Sequence, residues 1–240
     1  MAPLSEERAA RLCDFLAGNA RGTIVDAGCG WAELLICLLE SAPSATGLGI
    51  DLNADAVAHG QARARQRGVA DRISLIAGDV KAHLPEAAGA VLCIGSSQIW
   101  GPPVEARLPL DYRSAVRAIR ALLDPGSPAV YGEAIWTANP TPEAIAPLAN
   151  RVDEYVFLPE LLDTVRDCGF VVFGVHQATL DEWDSFESGY TARYARWLTE
   201  HAAEHPDAAE VRGRMLAQSN AYFRGYRGVL GMAYLELLAA

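Results

Sequence analysis

A doubly wound α/β fold, built on a mostly parallel sheet of seven strands, is predicted by three features of the chain. From residue 23 to about 137, short apolar runs of β type alternate with helical periodicity, the pattern of strand–helix–strand units with right-handed crossovers. The first run, from Thr23, turns through Asp26-Ala27-Gly28-Cys29-Gly30 into an amphipathic helix, and the second, Thr46 to Ile50, ends on Asp51. Beyond Trp136 the pattern changes, and two further strands are separated by a long helical stretch.

Taken in order, an N-terminal helix is predicted from Ser5 to Gly18, opened by Ser5-Glu6-Glu7 and carrying Ala9, Leu12, Cys13, Phe15 and Leu16 along one side. After the Thr46–Ile50 strand, Asn53 is placed to cap a helix running to about Arg67, which Gly68 stops. Ile73 to Asp79 and Ala90 to Ile94 are taken as the third and fourth strands, Asp111 to Leu123 as a helix, and Ala129 to Trp136 as the fifth strand. Asn139-Pro140-Thr141-Pro142 is a stiff turn, followed by a short lid helix over Glu143–Tyr155 and another helix over Pro159–Cys168. Phe170 to His176 is the sixth strand and Gly228 to Leu237 the seventh. The stretch between them, roughly Trp183 to Arg224, is too long for a structureless loop and is expected to form a helical cap over the acceptor side of the sheet. Its aromatics, Trp183, Phe186, Tyr190, Tyr194 and Trp197, are expected mostly to hold the cap down.

The turn at Gly28 limits the ligand. Glycines permit positive φ and close approach of backbone to ligand, and an Asp closing the second strand can accept both hydroxyls of a ribose. A dinucleotide fingerprint needs a third glycine, but the run Gly28-Cys29-Gly30-Trp31-Ala32-Glu33 puts a glutamate there, a poor neighbour for a diphosphate. Asp26, just before the turn, is instead suited to a cationic amino group. A ligand with an ammonium and a ribose but no phosphate fits, and S-adenosylmethionine (SAM) is one.

Here the sequence resembles the class I SAM-dependent methyltransferases, whose glycine motif reads much like Val25-Asp26-Ala27-Gly28-Cys29-Gly30. Asp51, with Leu52 beside it, matches the acidic position that holds the ribose; Asp79 matches the residue at the adenine amino group, and Val80 the one whose backbone meets the ring. Gly95 and Ser96 are similar to the turn beside the methionine part of the ligand. Leu122-Leu123-Asp124-Pro125-Gly126 is close to the family's helix-ending turn, with Ser127 for its second glycine. Gly132-Glu133-Ala134-Ile135-Trp136, Asp181-Glu182-Trp183-Asp184 and Tyr226 to Gly231 resemble one small-molecule branch. That branch tends to carry two glycines where this chain has Gly101-Pro102-Pro103, a stiffer loop. The resemblance implies a Rossmann-like methyltransferase fold and one domain over 1–240, with a cofactor half (20–137), an acceptor half (138–240) and a cap at about 183–225.

Composition narrows the acceptor. A net charge of −10 with scattered arginines lacks the basic stripe that DNA or RNA requires, so a small molecule is expected instead of a nucleic acid. Apolar runs such as Leu34–Leu39 are far short of the ~20 residues that span a bilayer. Five cysteines without C-x-x-C spacing argue for reduced thiols and a cytoplasmic location, with Cys37 and Cys93 as small core residues. The scattered histidines suggest no metal site.

Methyl transfer is a displacement at a sulfonium-activated carbon, so alignment and water exclusion dominate, and a base is needed only when the nucleophile must lose a proton. Glu133 and His176 are the candidate bases, and Gln98, Trp100, Trp136, Trp183 and Tyr190 the candidate acceptor contacts. The expectation is a methyltransferase acting on an O, N, S or C atom of a small molecule as a monomer or homodimer, releasing S-adenosylhomocysteine. The rivals are a SAM-binding protein with other chemistry, a nicotinamide oxidoreductase, and a non-catalytic binding subunit.

Overall fold

A computed structural model describes residues 2–102 and 106–240. Pro103, the last residue of the stiff loop, lies outside the described residues.

The first helix, α1 (Glu6–Asn19), is capped by Ser5, whose side chain accepts from Arg8 N, and it buries Leu12, Cys13, Phe15 and Leu16. Strand β1 (Thr23–Ala27), α2 (Glu33–Ser41) and β2 (Thr46–Asp51) follow. Helix α2 buries Leu35, Ile36, Leu38 and Leu39 completely, each contributing about 1.5–3 kcal/mol, and stops at Ala42 because Pro43 follows. Asn53 caps α3 (Ala54–Gln66) by accepting from Ala56 N at 3.0 Å, and Gly68, at φ +71°, lies just beyond its end. Next come β3 (Ile73–Ala77), the single turn α4 (Val80–His83), β4 (Ala90–Ile94), a 3₁₀ turn at Ser97–Ile99, α5 (Tyr112–Ala121) and β5 (Pro128–Trp136).

The seven strands lie in the order β3-β2-β1-β4-β5, then β7 (Leu230–Ala239), then β6 (Phe170–Gln177). The first five are parallel, while β7 runs antiparallel between β5 and β6. Alternate residues of the central strands feed two cores. Ile24, Leu92 and Val130 pack with α1 and α2 on one face. Val25, Val91 and Tyr131 pack with α5 and α7 (Leu158–Asp167) on the other. The doubly wound, mostly parallel sheet is therefore as the sequence predicts. Of the cysteines, Cys93 is fully buried and Cys37 half-buried.

One expectation needs correction. The lid helix over 143–155 is one turn only, α6 (Pro142–Ile145), because Pro147 cannot continue a helical ladder and the chain turns left-handed at Asn150. The cap is helical, as expected, and consists of two helices, α8 (Leu180–Glu200) and α9 (Ala208–Ala221), ending in a π turn at Tyr222–Tyr226. The two are separated by residues 201–207, which include Pro206, and α8 starts three residues before Trp183 because Thr179 and Glu182 form a capping box.

The cap is fastened at its base. Glu182 takes both the Arg8 guanidinium and the Ser5 N–H, tying α8 to the N-terminal helix, and these bonds, against the cost of partial burial, hold its carboxyl at about 2. Glu187 accepts from the Tyr226 hydroxyl at 2.8 Å and from Gln218 at 2.7 Å. No helix of the described residues is long and apolar enough to cross a membrane.

Candidate active site

Strand order reverses between β1 and β4, and in open α/β sheets the ligand crevice lies at the carboxyl ends of the strands flanking that reversal. The turn after β1 occupies this place. Gly28 and Gly30 both have positive φ, +77° and +55°, and Ala32 follows at +59°. The outgoing N–H groups are spent on the protein: Gly28 and Cys29 donate to the Ile50 carbonyl, Ala32 to that of Cys29, and Gly30 to Asp51 Oδ2 at 2.8 Å. Glu33 then sits at the start of α2, its carboxylate held by Arg63 and Arg67 of α3. A turn whose amides are engaged and whose helix opens on a carboxylate does not suit a diphosphate.

The carboxylates around the turn suit a cation and a diol. Asp26 is 5% exposed, and among the described residues no hydrogen-bond donor reaches its carboxylate. Burial first, and then the negative charge of Asp51, push its carboxyl up to about 7. An ammonium group placed there would favour the ionised carboxylate. Asp51 stands at the end of β2, where each oxygen already accepts one backbone N–H, from Gly30 and from Asn53, both at 2.8 Å. An ionised carboxylate has about four acceptor sites, so two remain for hydroxyls. The residues present therefore fit SAM and its product.

The far wall of the crevice is the end of β4. Gly95 has φ +64°, and Ser96 Oγ lies 3.3 Å from the Gly28 carbonyl and 3.2 Å from that of Ile94, pinning the two turns together. At the end of β3, Asp79 caps α4 through Lys81 N at 3.0 Å, which leaves its second oxygen available; Val80 is buried and Leu52 is 75% exposed. Asp26, Gly28, Gly30, Asp51, Gly95 and Ser96 thus lie at the carboxyl ends of β1, β2 and β4, around the reversal of strand order, with Leu52, Asp79 and Val80 on the β2–β3 side.

The acceptor candidates scatter. Gln98 lines a cleft of about 800 Å³, bounded on one side by described residues between 98 and 102 and between 107 and 111, and on the other by residues between 148 and 154. Trp136 is buried and supports the opposite wall, its indole N–H donating to the Val152 carbonyl at 2.8 Å and its ring meeting Tyr155 edge-on. Trp100 is half-buried against the α5–α7 core. Trp183 is buried among Phe186, Tyr222 and Tyr226, and Tyr190 meets Phe186, so both lie in the cap's own aromatic cluster. Glu133 is 5% exposed, with Oε2 accepting from Ser97 N at 3.0 Å and Oε1 from Ala134 N at 2.9 Å. Burial pushes its carboxyl above the usual range, and these N–H groups oppose the shift. His176 bonds Glu236 at 3.1 Å on the outer two strands, away from the β1–β4 reversal.

Sequence reasoning missed Arg107, Asn150 and Glu154, which line the cleft. Only the unusual backbone of the first two, both at positive φ, singles them out, and that is invisible without coordinates.

Residues 24–126 match the family described as a methyltransferase domain. The chain is similar to a SAM-dependent methyltransferase from Geobacter sulfurreducens, solved with S-adenosylhomocysteine: 27% identity over 99% of this chain and 92% of that one, with a TM-score of 0.83. A SAM-dependent methyltransferase from Thiobacillus denitrificans, also solved with S-adenosylhomocysteine, is 28% identical over 100% of this chain and 93% of its own, with a TM-score of 0.83. The uncharacterized protein YjhP of Escherichia coli is 28% identical over 99% of this chain and 92% of its length.

Proposed function

We propose that the chain is a class I SAM-dependent methyltransferase that methylates an O, N, S or C atom of a small molecule bound in the cleft beside Gln98. The observation that carries this reading is the pair of carboxylates around the glycine turn, with the cleft opening next to it from the same 96–98 turn. Bound SAM would supply an activated methyl group. Asp26 would hold its ammonium, Asp51 its ribose hydroxyls, and Asp79 with the Val80 backbone its adenine. Gly95 and Ser96 would flank the methionine part. The cleft walls come from both proposed halves, 20–137 and 138–240, as an acceptor site facing a cofactor site requires. A net charge of −10 favours a small-molecule acceptor over a nucleic acid, and a cytoplasmic setting agrees with the unpaired cysteines.

Thermal-shift titration with S-adenosylhomocysteine, run beside NADH, tests the reading. A ligand at a hundred times its Kd adds about 2.7 kcal/mol, a midpoint rise of roughly 5–10 °C for a domain of this size. A saturating rise with S-adenosylhomocysteine alone is expected. A rise with NADH alone would overturn the assignment.

Glu133 acts in this reading through the turn it holds, since both its oxygens are engaged by main-chain N–H groups. Glu133→Gln turns one acceptor into a donor facing an N–H. It should lower kcat/KM about tenfold with little change in SAM affinity and an unaltered pH–rate profile. Loss of the acidic limb of that profile would instead make Glu133 the base.

A further inference from the structure

Among the described residues, the cleft carries opposite charges that no partner engages. Five charged residues line it: Arg107, Asp111, Arg151, Asp153 and Glu154. Three are internally satisfied. Arg151 makes two bonds to Asp153, Nε to Oδ1 at 3.0 Å and Nη2 to Oδ2 at 2.8 Å. Asp111 caps α5, its oxygens taken by Ser114 N at 2.9 Å and Ser114 Oγ at 2.6 Å. That leaves one guanidinium, Arg107, and one carboxylate, Glu154, on opposite segments of the cleft. Among the described residues no ion pair or side-chain hydrogen bond engages either, and none joins them to each other.

Two further observations indicate that this arrangement is built for a ligand. Of the three non-glycine residues with positive φ among the described residues, Ala32 belongs to the glycine turn, while Arg107 (+48°) and Asn150 (+56°) line the two sides of the cleft. Asparagine adopts a left-handed backbone readily, but it costs a residue such as Arg107 about 1–2 kcal/mol, and such strain collects at ligand sites. Glu154 is also partly withdrawn from water, which raises its carboxyl above the usual range, with Arg151 opposing the rise only in part. A cation brought by the ligand would relieve that cost.

We propose that the acceptor is a zwitterion of the amino-acid type, its carboxylate taken by Arg107 and its ammonium by Glu154, with the rest of the molecule lying along Leu108, Leu110 and Leu148. The proposal rests on the methyltransferase reading and names the substrate class of that site. An anion alone would leave Glu154 unpaired, and a cation alone would leave Arg107 so. The two opposite charges on facing walls also fix the direction in which the acceptor lies, which is the alignment that methyl transfer requires.

The test uses the full chain saturated with S-adenosylhomocysteine and three probe pools: free α-amino acids, their N-acetyl derivatives and their methyl esters. Calorimetric titration is expected to find binding in the first pool and not in the other two. For the tightest amino acid, Arg107→Gln and Glu154→Gln should each raise Kd about tenfold or more while S-adenosylhomocysteine affinity stays at the wild-type value. Equal binding of the acetylated or esterified pool would overturn the proposal. So would wild-type Kd values in both variants, or no binding from any pool while S-adenosylhomocysteine still binds. If S-adenosylhomocysteine itself fails to bind, the methyl-donor reading fails and takes this proposal with it, so the two failures are told apart in one experiment.

Discussion

Asp26→Asn is expected to make the ligand-free protein more stable at pH 8 and to weaken S-adenosylhomocysteine binding by about 100-fold or more. Both effects have one cause. The Asp26 carboxyl is pushed up to about 7 by burial and by Asp51, so ionising it in the folded protein costs about 4 kcal/mol. Its folded value is raised, so the unfolded chain releases this proton near pH 4 and the folded one only near pH 7. Stability from this group is therefore whole below about pH 4, falls across the window, and stays at its low level above about 7. Asparagine carries no charge but leaves an unpartnered amide in the same place, worth about 1–3 kcal/mol, so the net gain at pH 8 is about 2 kcal/mol. Urea denaturation of the two proteins at pH 8 and pH 5 measures this, and the gap should narrow toward zero at the lower pH. Binding runs the other way. An ammonium needs the ionised carboxylate, so wild-type affinity should rise about tenfold per pH unit up to about 7 and then level. The variant should be flat. Tight, pH-independent binding by Asp26→Asn would remove Asp26 from the ligand.

How much of this could be read from the sequence depends on whether the signal is local. The glycine turn, Asp51 and the Asn53 cap lie within one strand–helix–strand unit, where glycine spacing and a capping side chain determine the geometry. Their arrangement was legible, and so was the sheet, because parallel strands buried on both faces write themselves as apolar runs. The cap was legible as helical, but its break was not located, since its outer turns are governed by solvent and by one proline, not by a core: α9 buries only Ala208. The acceptor side was least legible. Trp183 and Tyr190 look like ligand contacts in sequence, yet their rings meet one another's neighbours in the cap. Glu133 looks like a free acid at a strand end, yet its oxygens meet main-chain N–H groups. Arg107 and Glu154 carry no motif; the left-handed backbone of Arg107 and the pairing of the charges around both distinguish them, and neither is visible without coordinates.

The two glycines of the turn should fail in different ways when each is given a methyl group. A Cβ on Gly28 would stand 2.2 Å from Ser96 Oγ, 2.6 Å from Ser96 Cβ and 3.2 Å from Ile99 Cδ1, at a φ of +77° that alanine adopts at a cost of about 1–2 kcal/mol. Ser96 has little room to retreat. It is 6% exposed, and its neighbour Ser97 is held by Glu133. Gly28→Ala must therefore push the β4 turn away from the β1 turn. Overpacking of this kind adds about 1–3 kcal/mol, for a total loss of about 2–5 kcal/mol in unfolding free energy. Gly30 is the contrast: its φ is +55° but an added Cβ meets nothing within 4 Å. Gly30→Ala should lose only the backbone cost of about 1–2 kcal/mol and keep the fold, while its methyl enters the crevice proposed for the ligand and raises the S-adenosylhomocysteine Kd about tenfold or more. Removing the obstruction separates the causes further. Gly28→Ala combined with Ser96→Gly deletes both atoms inside 3 Å, so it should recover stability relative to Gly28→Ala alone, a coupling that two independent sites would not produce. Urea denaturation of these three proteins, of Ser96→Gly alone and of the wild type, with titration of the folded ones, makes the comparison. Equal stability of Gly28→Ala and Gly30→Ala would mean that the two turns are not locked together, and wild-type affinity in Gly30→Ala would place the ligand elsewhere.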